Sequence, residues 1–456
     1  MNLQKKIACI GAGYVGGPTM AVIAKKCPDC TVTVVDINQE RIDSWNAENL
    51  PVYEPGLDEI VKDVRGKNLF FSTQVEKAVI ENDIIFIAVN TPTKDYGVGK
   101  NMAADLQHWE VIARQIRNVA QSDKIIVEKS TLPVKTAEAM ETILNTDSKI
   151  HFEVLSNPEF LAEGTAIRDL LEPDRVLIGS RETASGRKAR NELVEIYSAW
   201  VPKDKIITTN TFSSELSKLV SNAFLAQRVS SINAISAICE ATGADVHEIA
   251  KAVGADSRIG NKFLNASVGF GGSCFRKDIY NLVYICRMYH LPEIATYFEN
   301  IINMNNYQQQ RFVDNVIRSM FNTVAGRKIC IYGCAFKANT DDVRDSPALP
   351  VARTLMSEKA HLVISDPKAL ENMKSELGDP KNVLFIDDPY EAAKGSHAIL
   401  IVTEWDIYGT LDYQRLYDSM IKPAYLFDGR NMINRKSCYD IGFNVYSIGK
   451  EALIHK

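Results

Sequence analysis

The sequence lacks long hydrophobic runs and any excess of basic residues. None of its apolar stretches approaches the roughly 20 residues that a membrane-spanning helix needs. Its formal net charge is −5, so no overall positive field attracts nucleic acid or an anionic membrane. The opening residues, followed by a short apolar run, show no secretory signal. We therefore expect a cytosolic protein that binds neither membrane nor nucleic acid and holds any anionic ligand through local donors.

Metal-binding patterns are also missing. The seven histidines show no H-E-x-x-H or related spacing, and the nine cysteines are scattered along the chain. Cys27 and Cys30 form one C-x-x-C pair, but a structural zinc site needs four ligands and no second pair exists. We interpret them as reduced cysteines near a helix end, and we expect no metal site.

Short apolar runs alternate with helical stretches in the first half of the chain. Strands are predicted at 6–10, 31–35, 83–89 and 124–128, and helices at 15–26, 106–120 and 134–144. Several of these strands are apolar throughout, which is typical of a parallel sheet covered by helices on both faces.

The pattern changes near residue 211 and returns near residue 326. A long helix is predicted at 213–242 with Ser213 or Ser214 as its N-cap, and glycines interrupt the helical pattern at 269–274. Later segments are strands at 328–332, 362–365, 398–402 and 424–427, with a helix at 347–359. The predicted fold is α/β, with two Rossmann-like doubly wound domains (1–211 and 324–456) joined by a central, mainly helical dimerisation unit (212–323).

The first turn carries a dinucleotide-binding pattern. Gly11, Ala12, Gly13, Tyr14, Val15 and Gly16 follow a predicted strand and open a predicted helix. In such a turn the glycines allow the tight bend, the close approach of the pyrophosphate and the close helix–strand contact. Asp36 ends the second strand, where a carboxylate accepts from a ribose 2′-hydroxyl and repels a 2′-phosphate; Arg41 flanks it. We therefore predict NAD as the cofactor.

Two later strand ends are expected at the same edge of the sheet, beside the nicotinamide. Their residues are Val89, Asn90, Thr91 and Thr93 after one strand, and Ser130 and Thr131 after the next.

A glycine-rich decapeptide at 269–278 contains the most informative cysteine. Cys274 is followed by Arg276 and Lys277, whose charges favour a reactive thiolate. This segment alone is equally consistent with Cys274 as a reactive cysteine and with Cys274 as an inert cysteine at the start of a helix.

Eight sequence blocks occur in the order IGAGYVGGPT, VNTPT, EKST, SNPEFLAEGTAI, SSELSKLVSNAFLAQR, GFGGSCFRKD, GCAFKANTDDVRD and FDGRN. Together they resemble the UDP-glucose/GDP-mannose dehydrogenase family, and within it the animal-type members that act on UDP-glucose. The resemblance covers nearly the whole chain. It implies an enzyme that oxidises UDP-glucose to UDP-glucuronate with two NAD⁺, through a cysteine thiohemiacetal and a cysteine thioester.

The resemblance also implies roles for individual residues. The implied catalytic residues are Cys274 as nucleophile, Lys218 and Asp278 around the reacting oxygen, Asn222 at the oxyanion, Glu159 as the acid–base of hydrolysis, and Thr131 near the nicotinamide. Further implied NAD contacts are Glu163, Cys274, Lys277 and Arg344. The implied substrate contacts are Glu159, Phe160, Leu161, Ala162, Glu163, Lys218, Asn222, Arg258, Phe270, Gly271, Phe336, Lys337 and Arg430. Arg258 resembles an arginine that reaches a neighbouring subunit's site, which implies a homo-oligomer, either a dimer or a trimer of dimers.

Some alternatives stay open at this point. The same chemistry on GDP-mannose or UDP-N-acetylmannosamine is the nearest one, and a non-enzymatic NAD-sensing protein on this fold is a second. Asn265 stands where animal-type members usually carry lysine, and Arg276 where they carry an uncharged residue, so substrate affinity could differ. The resemblance also implies UDP-xylose as a feedback inhibitor.

Overall fold

The computed structural model describes residues 4–455. This part of the chain divides into two compact units, one ending at Ser221 and the other starting at Asn222. Each unit contains one sheet with helices packed against it, and the two are described in turn. The limits of the three predicted domains stay a prediction.

The first unit is built on an eight-stranded sheet with the order β3-β2-β1-β4-β5-β6-β7-β8. Its strands are β1 (Lys6–Ile10), β2 (Thr31–Val35), β3 (Leu69–Ser72), β4 (Ile84–Ile87), β5 (Lys124–Glu128), β6 (Phe152–Ser156), β7 (Val176–Ser180) and β8 (Ile206–Asn210). All neighbouring pairs are parallel except β6 and β7, which pair antiparallel. The order β3-β2-β1-β4 places the glycine turn after β1 at the point where the chain switches direction across the sheet.

The helices of this unit lie on both faces of the sheet. They are α1 (Gly16–Lys26), α2 (Gln39–Asn46), α3 (Leu57–Val64), α4 (Val75–Glu81), α5 (Gln107–Val119), α6 (Thr136–Asn145), α7 (Ala166–Leu171) and α8 (Ala184–Tyr197), with a 3₁₀ turn at Lys203–Lys205. Ile7 and Cys9 of β1 join a hydrophobic cluster that α1 also lines, whereas Ala8 and Ile10 join a second cluster that α5 lines. Because successive side chains of a strand point to opposite faces, both faces of β1 are buried.

Four helices form the mainly helical region: α9 (Thr211–Thr242), α10 (Val246–Gly254), α11 (Ser273–Met288) and α12 (Pro292–Ser319). The predicted N-cap of the long helix was wrong. The side chain of Asn210 accepts a hydrogen bond from the Ser213 backbone N–H at 2.8 Å, so the helix begins two residues earlier than predicted. The hydroxyl of Ser214 instead donates to the Ser156 carbonyl at 3.3 Å. Asparagine is a common N-cap residue because its short side chain reaches the first free N–H groups of a helix.

The second unit contains a six-stranded parallel sheet with the order β11-β10-β9-β12-β13-β14. Its strands are β9 (Lys328–Tyr332), β10 (His361–Ser365), β11 (Val383–Phe385), β12 (Ala398–Ile401), β13 (Tyr425–Asp428) and β14 (Asn444–Ser447). Its flanking helices are α13 (Ala348–Ser357), α14 (Leu370–Leu377), α15 (Pro389–Ala393), α16 (Asp406–Gly409), α17 (Tyr413–Ser419) and α18 (Arg435–Ile441). The predicted fold class, two Rossmann-like sheets and a helical central region, is confirmed.

Within residues 4–455, no helix combines the length and apolar character that crossing a bilayer requires. The same part of the chain contains no group of three or more His, Cys, Asp or Glu side chains arranged to hold a metal ion.

The turn after β9 should be intolerant of a side chain. Gly333 has φ +90°, and a Cβ atom there would lie 2.3 Å from Cβ of Thr403. We expect Gly333→Ala to destabilise the chain by about 3 kcal/mol or more, since it combines backbone strain with steric overlap. The matched control is Gly378→Ala, which has φ +76° and no neighbouring atom within 4 Å, and should lose only about 1 kcal/mol. Urea denaturation followed by circular dichroism measures both; equal losses would contradict the steric argument.

Candidate active site

The glycine turn after β1 has the shape of a dinucleotide cradle. Gly11 has φ +109°, and a Cβ atom there would lie 2.5 Å from the Ala88 carbonyl oxygen, so no other residue fits. A Cβ on Gly16 would lie 2.0 Å from the Gly11 carbonyl oxygen, which explains how closely α1 approaches the turn. A Cβ on Gly13, in contrast, would meet nothing within 4 Å. The turn therefore presents open backbone at the helix N-terminus, as a pyrophosphate requires.

Asp36 is held firmly at the end of β2. Its carboxylate accepts hydrogen bonds from the backbone N–H groups of Ala12 (2.9 Å) and Asn38 (3.0 Å) and from the Arg41 guanidinium (3.0 Å). Burial raises the pKa of Asp36, but these hydrogen bonds outweigh that effect and hold the pKa below its usual value. The carboxylate is therefore ionised and positioned to accept from a ribose hydroxyl.

Tyr14 adds a polar atom beside the same turn. Its hydroxyl is buried and has no hydrogen-bond partner among the described residues. A buried hydroxyl without a partner is unfavourable, so a ligand group at this position would satisfy it. Together with the glycine cradle and Asp36, this observation shows that the residues present fit a dinucleotide.

The polar residues after β4 and β5 lie against each other, as their strand ends predict. The hydroxyl of Ser130 donates to the Val89 carbonyl at 2.6 Å, and the hydroxyl of Thr91 donates to the Thr131 carbonyl at 3.1 Å. These bonds tie the two loops together at the carboxyl edge of the sheet. Asn90 and Thr93 belong to the first of the two loops.

Three of the predicted catalytic side chains converge within the first unit. The Glu159 oxygen Oε1 lies 3.3 Å from Nζ of Lys218 and 3.4 Å from Oγ1 of Thr131. The side chains of Lys218 and Glu159 are only 6% and 11% exposed, so their charges interact in a shielded place. The other Glu159 oxygen, Oε2, is buried and receives no hydrogen bond from the described residues. An oxygen with this freedom can take a proton from water.

The loop that carries Glu159 also holds its aromatic neighbour. The guanidinium of Arg175 lies 3.7 Å from the ring centroid of Phe160, and Nζ of Lys218 lies 5.4 Å from the same centroid. Leu161 packs against the hydrophobic cluster that α1 lines, and the Ala162 N–H donates to Asp169 at 3.1 Å. Arg175 was not predicted as a site residue, because no spacing rule links it to the Phe160 loop.

A buried lysine, the first residue of the polar turn after β5, lies beside this group. Lys129 is 4% exposed, and its ammonium lies 3.2 Å from Oδ1 of Asn157 and 3.4 Å from the Tyr197 hydroxyl. Burial lowers its pKa to about 8, against the opposing effect of Glu159. The burial of this lysine and its contact with Asn157 have no distinctive signal in the sequence, because they depend on β5 lying beside β6.

Within the second unit, Cys274 is the accessible thiol. It is exposed at the second position of α11, whereas the other eight cysteines are buried. The preceding glycines leave room for an aromatic ring: a Cβ on Gly271 would lie 2.9 Å from Cβ of Phe336, and a Cβ on Gly272 would lie 3.0 Å from its ring. The first turn of a helix stabilises negative charge, so this position favours a thiolate nucleophile.

Asn222 and Asp278 form a buried pair. The amide of Asn222 donates to the Asp278 carboxylate at 2.5 Å, and the two residues are 5% and 1% exposed. The carboxylate fixes which way the Asn222 amide points. Asp278 lies one turn after Cys274 on α11, so both belong to the N-terminal part of that helix.

Predicted substrate contacts of the last domain also come together. The guanidinium of Arg430 donates to the carbonyls of Val402 (2.6 Å) and Phe336 (3.2 Å), and it pairs with Glu404 at 3.1 Å. Nζ of Lys337 lies 5.5 Å from the ring centroid of Phe336. Two cations and an aromatic ring in one place suit a nucleotide with phosphates.

The remaining predicted residues are more dispersed. Phe270 is buried, and its N–H donates to Asn305 at 2.9 Å. Arg344 and Arg258 are exposed, and each pairs with an aspartate two residues earlier in the chain. Glu163 is half-buried, as is Lys277.

The second sheet repeats the strand–turn–strand–aspartate unit but closes it. Asp366 after β10 is 1% exposed and accepts from the N–H groups of Cys334 (2.7 Å), Ala335 (3.1 Å), Lys368 (2.9 Å) and Ala369 (2.9 Å) and from Trp405 Nε1 (3.0 Å). With five protein donors, this carboxylate has no capacity left for a ribose.

Three family descriptions match successive parts of the chain. Residues 5–201 match the NAD binding domain of the UDP-glucose/GDP-mannose dehydrogenase family, residues 212–307 match its central domain, and residues 330–435 match its UDP binding domain.

Curated relatives from plants are similar over nearly the whole chain. "UDP-glucose 6-dehydrogenase 3" of Oryza sativa subsp. japonica is 60% identical, covering 98% of this chain and 97% of that protein. "UDP-glucose 6-dehydrogenase 4" of Arabidopsis thaliana is 58% identical with the same coverage. Among solved structures, a UDP-glucose dehydrogenase from the archaeon Pyrobaculum islandicum is 30% identical with a TM-score of 0.86, covering 98% of each chain. A UDP-D-ManNAc dehydrogenase from Pyrococcus horikoshii, 24% identical with a TM-score of 0.81 over 98% and 99% of the two chains, supports the fold alone.

Asp36 should contribute directly to the affinity for NAD. We expect Asp36→Ala to raise the Kd for NAD⁺ about tenfold to a hundredfold, because a charged acceptor for the ribose is lost. Isothermal titration calorimetry measures the change, and Asp43→Ala, an exposed carboxylate on α2, is the matched control. Thermal unfolding of both variants separates loss of affinity from loss of stability. Unchanged NAD⁺ affinity in a folded Asp36→Ala protein would contradict the assignment.

Proposed function

The chain belongs to the UDP-glucose/GDP-mannose dehydrogenase family, and from this membership we propose that it oxidises UDP-glucose to UDP-glucuronate through a thioester on Cys274. The observation that carries the proposal is the exposure of this one cysteine at the start of α11, while the other eight are buried. A dehydrogenase that stops at an aldehyde has no need of a nucleophile. A four-electron oxidation does need one.

The first half of the reaction converts the C6 alcohol into an aldehyde. The glycine turn and Asp36 would hold NAD⁺, which would supply the hydride acceptor, one molecule for each of the two hydrides. We assign Lys218 and Asp278 to the reacting oxygen of the alcohol, whose proton passes to water. Lys218 is suited to stabilise negative charge that develops on this oxygen, because its ammonium is buried and is held in place by Glu159.

The second half requires a covalent bond to the protein. The thiolate of Cys274 adds to the aldehyde carbon, and the carbonyl oxygen becomes an oxyanion. We assign Lys218 and Asn222 to this oxyanion, because both side chains are buried and Asn222 is oriented by Asp278. Loss of the second hydride from the same carbon then leaves a thioester.

Hydrolysis of the thioester releases the product. Water attacks the thioester carbon, Glu159 takes the proton, and the bond to sulfur breaks so that the Cys274 thiolate leaves. Glu159 is suited to this step because one of its oxygens is held by Lys218 and Thr131 while the other has no donor among the described residues.

The nucleotide part of the substrate is assigned to the second unit. Lys337, Arg430 and the Phe336 ring supply charge and a stacking surface, and the Phe270–Gly271 segment lies beside Phe336. We assign the loop of Phe160, Leu161, Ala162 and Glu163 to the sugar, and Glu163, Lys277 and Arg344 to NAD.

We further propose that Arg258, which is exposed, completes the site of a second subunit in a dimer or trimer of dimers. We also propose that UDP-xylose competes for the substrate site.

The stoichiometry of the reaction is the most direct test. We expect two NADH for each UDP-glucose consumed, since each hydride reduces one NAD⁺. Absorbance of NADH together with chromatographic quantification of UDP-glucuronate measures the ratio. A ratio of one, with an aldehyde as product, would contradict the full cycle.

Cys274 can be tested separately. We expect Cys274→Ser to reduce UDP-glucuronate formation by about 10³-fold or more, because a hydroxyl is a far weaker nucleophile than a thiolate. NAD⁺ affinity should remain within about twofold of the parent, since the glycine turn and Asp36 are untouched. Cys286→Ala, a buried thiol on the same helix, is the matched control and should retain activity. Undiminished acid production by Cys274→Ser would remove the thioester mechanism.

A further inference from the structure

Two buried carboxyl groups that take no part in the proposed reaction meet inside the first unit. Glu128 is the last residue of β5, and Glu215 lies at the start of α9; they are 1% and 3% exposed. Neither oxygen of Glu128 receives a hydrogen bond from an N–H or hydroxyl group of the described residues. Its neighbouring group is the carboxyl of Glu215.

Glu215 is bonded on its other side to the loop between β5 and α6. Its Oε2 accepts from the Lys135 N–H at 2.7 Å, and its Oε1 accepts from the Ala137 N–H at 2.8 Å. Glu215 therefore has the donors that an ionised carboxylate needs, and Glu128 has none. The favourable arrangement is a protonated Glu128 that donates its O–H to Glu215.

Electrostatics support one shared proton. Burial, together with the charge and hydrogen bond of Glu215, raises the pKa of Glu128 well above its usual value. Burial also raises the pKa of Glu215 to about 7, although the amides of the loop oppose this effect. Two carboxylates in contact cannot both be ionised without strong repulsion in a buried place.

Uncharged residues flank Glu128 on the two neighbouring strands. The neighbouring strands place Ile87 and Ser156 in register with Glu128. The ammonium of Lys129 is directed to Asn157 and Tyr197, and that of Lys218 to Glu159. On the α6 side, the Lys135 and Glu138 residues are exposed to solvent.

We propose that this shared proton clamps the end of β5 to the start of α9 and thereby positions Thr131 and Lys218 on Glu159. Thr131 follows Glu128 by three residues, and Lys218 follows Glu215 by one helical turn. Both side chains contact the same Glu159 oxygen, at 3.4 and 3.3 Å. The inference rests on the proposed function, and it identifies Glu128 and Glu215 as positioning residues rather than catalytic ones.

Loss of the proton would separate the two segments. With both carboxyls ionised, repulsion pushes β5 and α9 apart, and the contacts of Thr131 and Lys218 with Glu159 weaken. Turnover should then fall at alkaline pH because this pair ionises, and not because a reacting group changes its charge.

The activity test uses Glu128→Gln. Its amide donates to Glu215 as the protonated acid does, but it does not titrate. We expect kcat near neutral pH to stay within about threefold of the parent, and the alkaline loss of kcat to move up by at least about one pH unit. Glu138→Gln removes an exposed carboxylate nearby and should keep the parent profile. Glu128→Leu, which has no donor, should lose about tenfold or more in kcat at every pH while KM for NAD⁺ changes little.

A second test measures stability and needs no substrate. The folded pair holds its proton more tightly than the unfolded chain, so its stabilising contribution is complete below about pH 4.5 and is lost as the pH rises through the raised pKa of Glu128. The unfolding equilibrium constant of the parent should rise by up to about tenfold per pH unit for each retained proton. Urea denaturation between about pH 5 and about pH 8 should give a smaller slope for Glu128→Gln than for the parent and for Glu138→Gln.

Infrared spectroscopy tests the shared proton in the parent protein, so this test does not depend on whether a variant folds. The parent protein should show the carbonyl band of a buried protonated carboxyl that persists above neutral pH. Absence of this band, or identical alkaline profiles and stability slopes in the parent and Glu128→Gln, would overturn the inference. So would a folded Glu128→Gln protein that is inactive at every pH. The infrared and denaturation results do not depend on UDP-glucose turnover, so they separate failure of this inference from failure of the proposed function.

Discussion

The burial of both faces of the central strands is the constraint on which the other features depend. The four residues of β4 are all buried, and alternate residues of β1 enter different hydrophobic clusters. The central strands therefore hold few polar side chains, and the polar residues of the candidate site appear where the strands end. Asp36 follows β2, Thr131 follows β5, and Glu159 follows β6, all at the carboxyl edge of one sheet.

The sequence alone predicts those features that depend on neighbouring residues. The limits of β1, β2, β5 and β9 agree with the predicted strands, because each is a short apolar run flanked by polar residues or glycine. The contact between Lys129 and Asn157 could not be predicted, since it depends on β5 lying beside β6. The cap at Asn210 was missed because β8 is largely exposed and polar, so that its end resembles a loop.

The two sheets show how one arrangement of strands serves different ligands. Both have the order that places the first strand between the second and the fourth, and both turn at a glycine with positive φ. Asp36 accepts from two backbone N–H groups and one arginine at the rim of an open turn, whereas Asp366 is enclosed by four backbone N–H groups and Trp405. The backbone arrangement has therefore been kept, while the side chains decide whether a nucleotide can enter the turn.

The exposure of Cys274 also sets the sensitivity of the chain to oxidants. Peroxides react with accessible thiolates, and the eight buried cysteines are shielded from them. Under the proposed function, conversion of this one sulfur to a sulfenic acid removes the nucleophile but leaves the glycine turn and the core intact. If Cys274 acts as proposed, oxidation would leave a folded protein that still holds its dinucleotide yet produces no acid, and a thiol reductant would restore it.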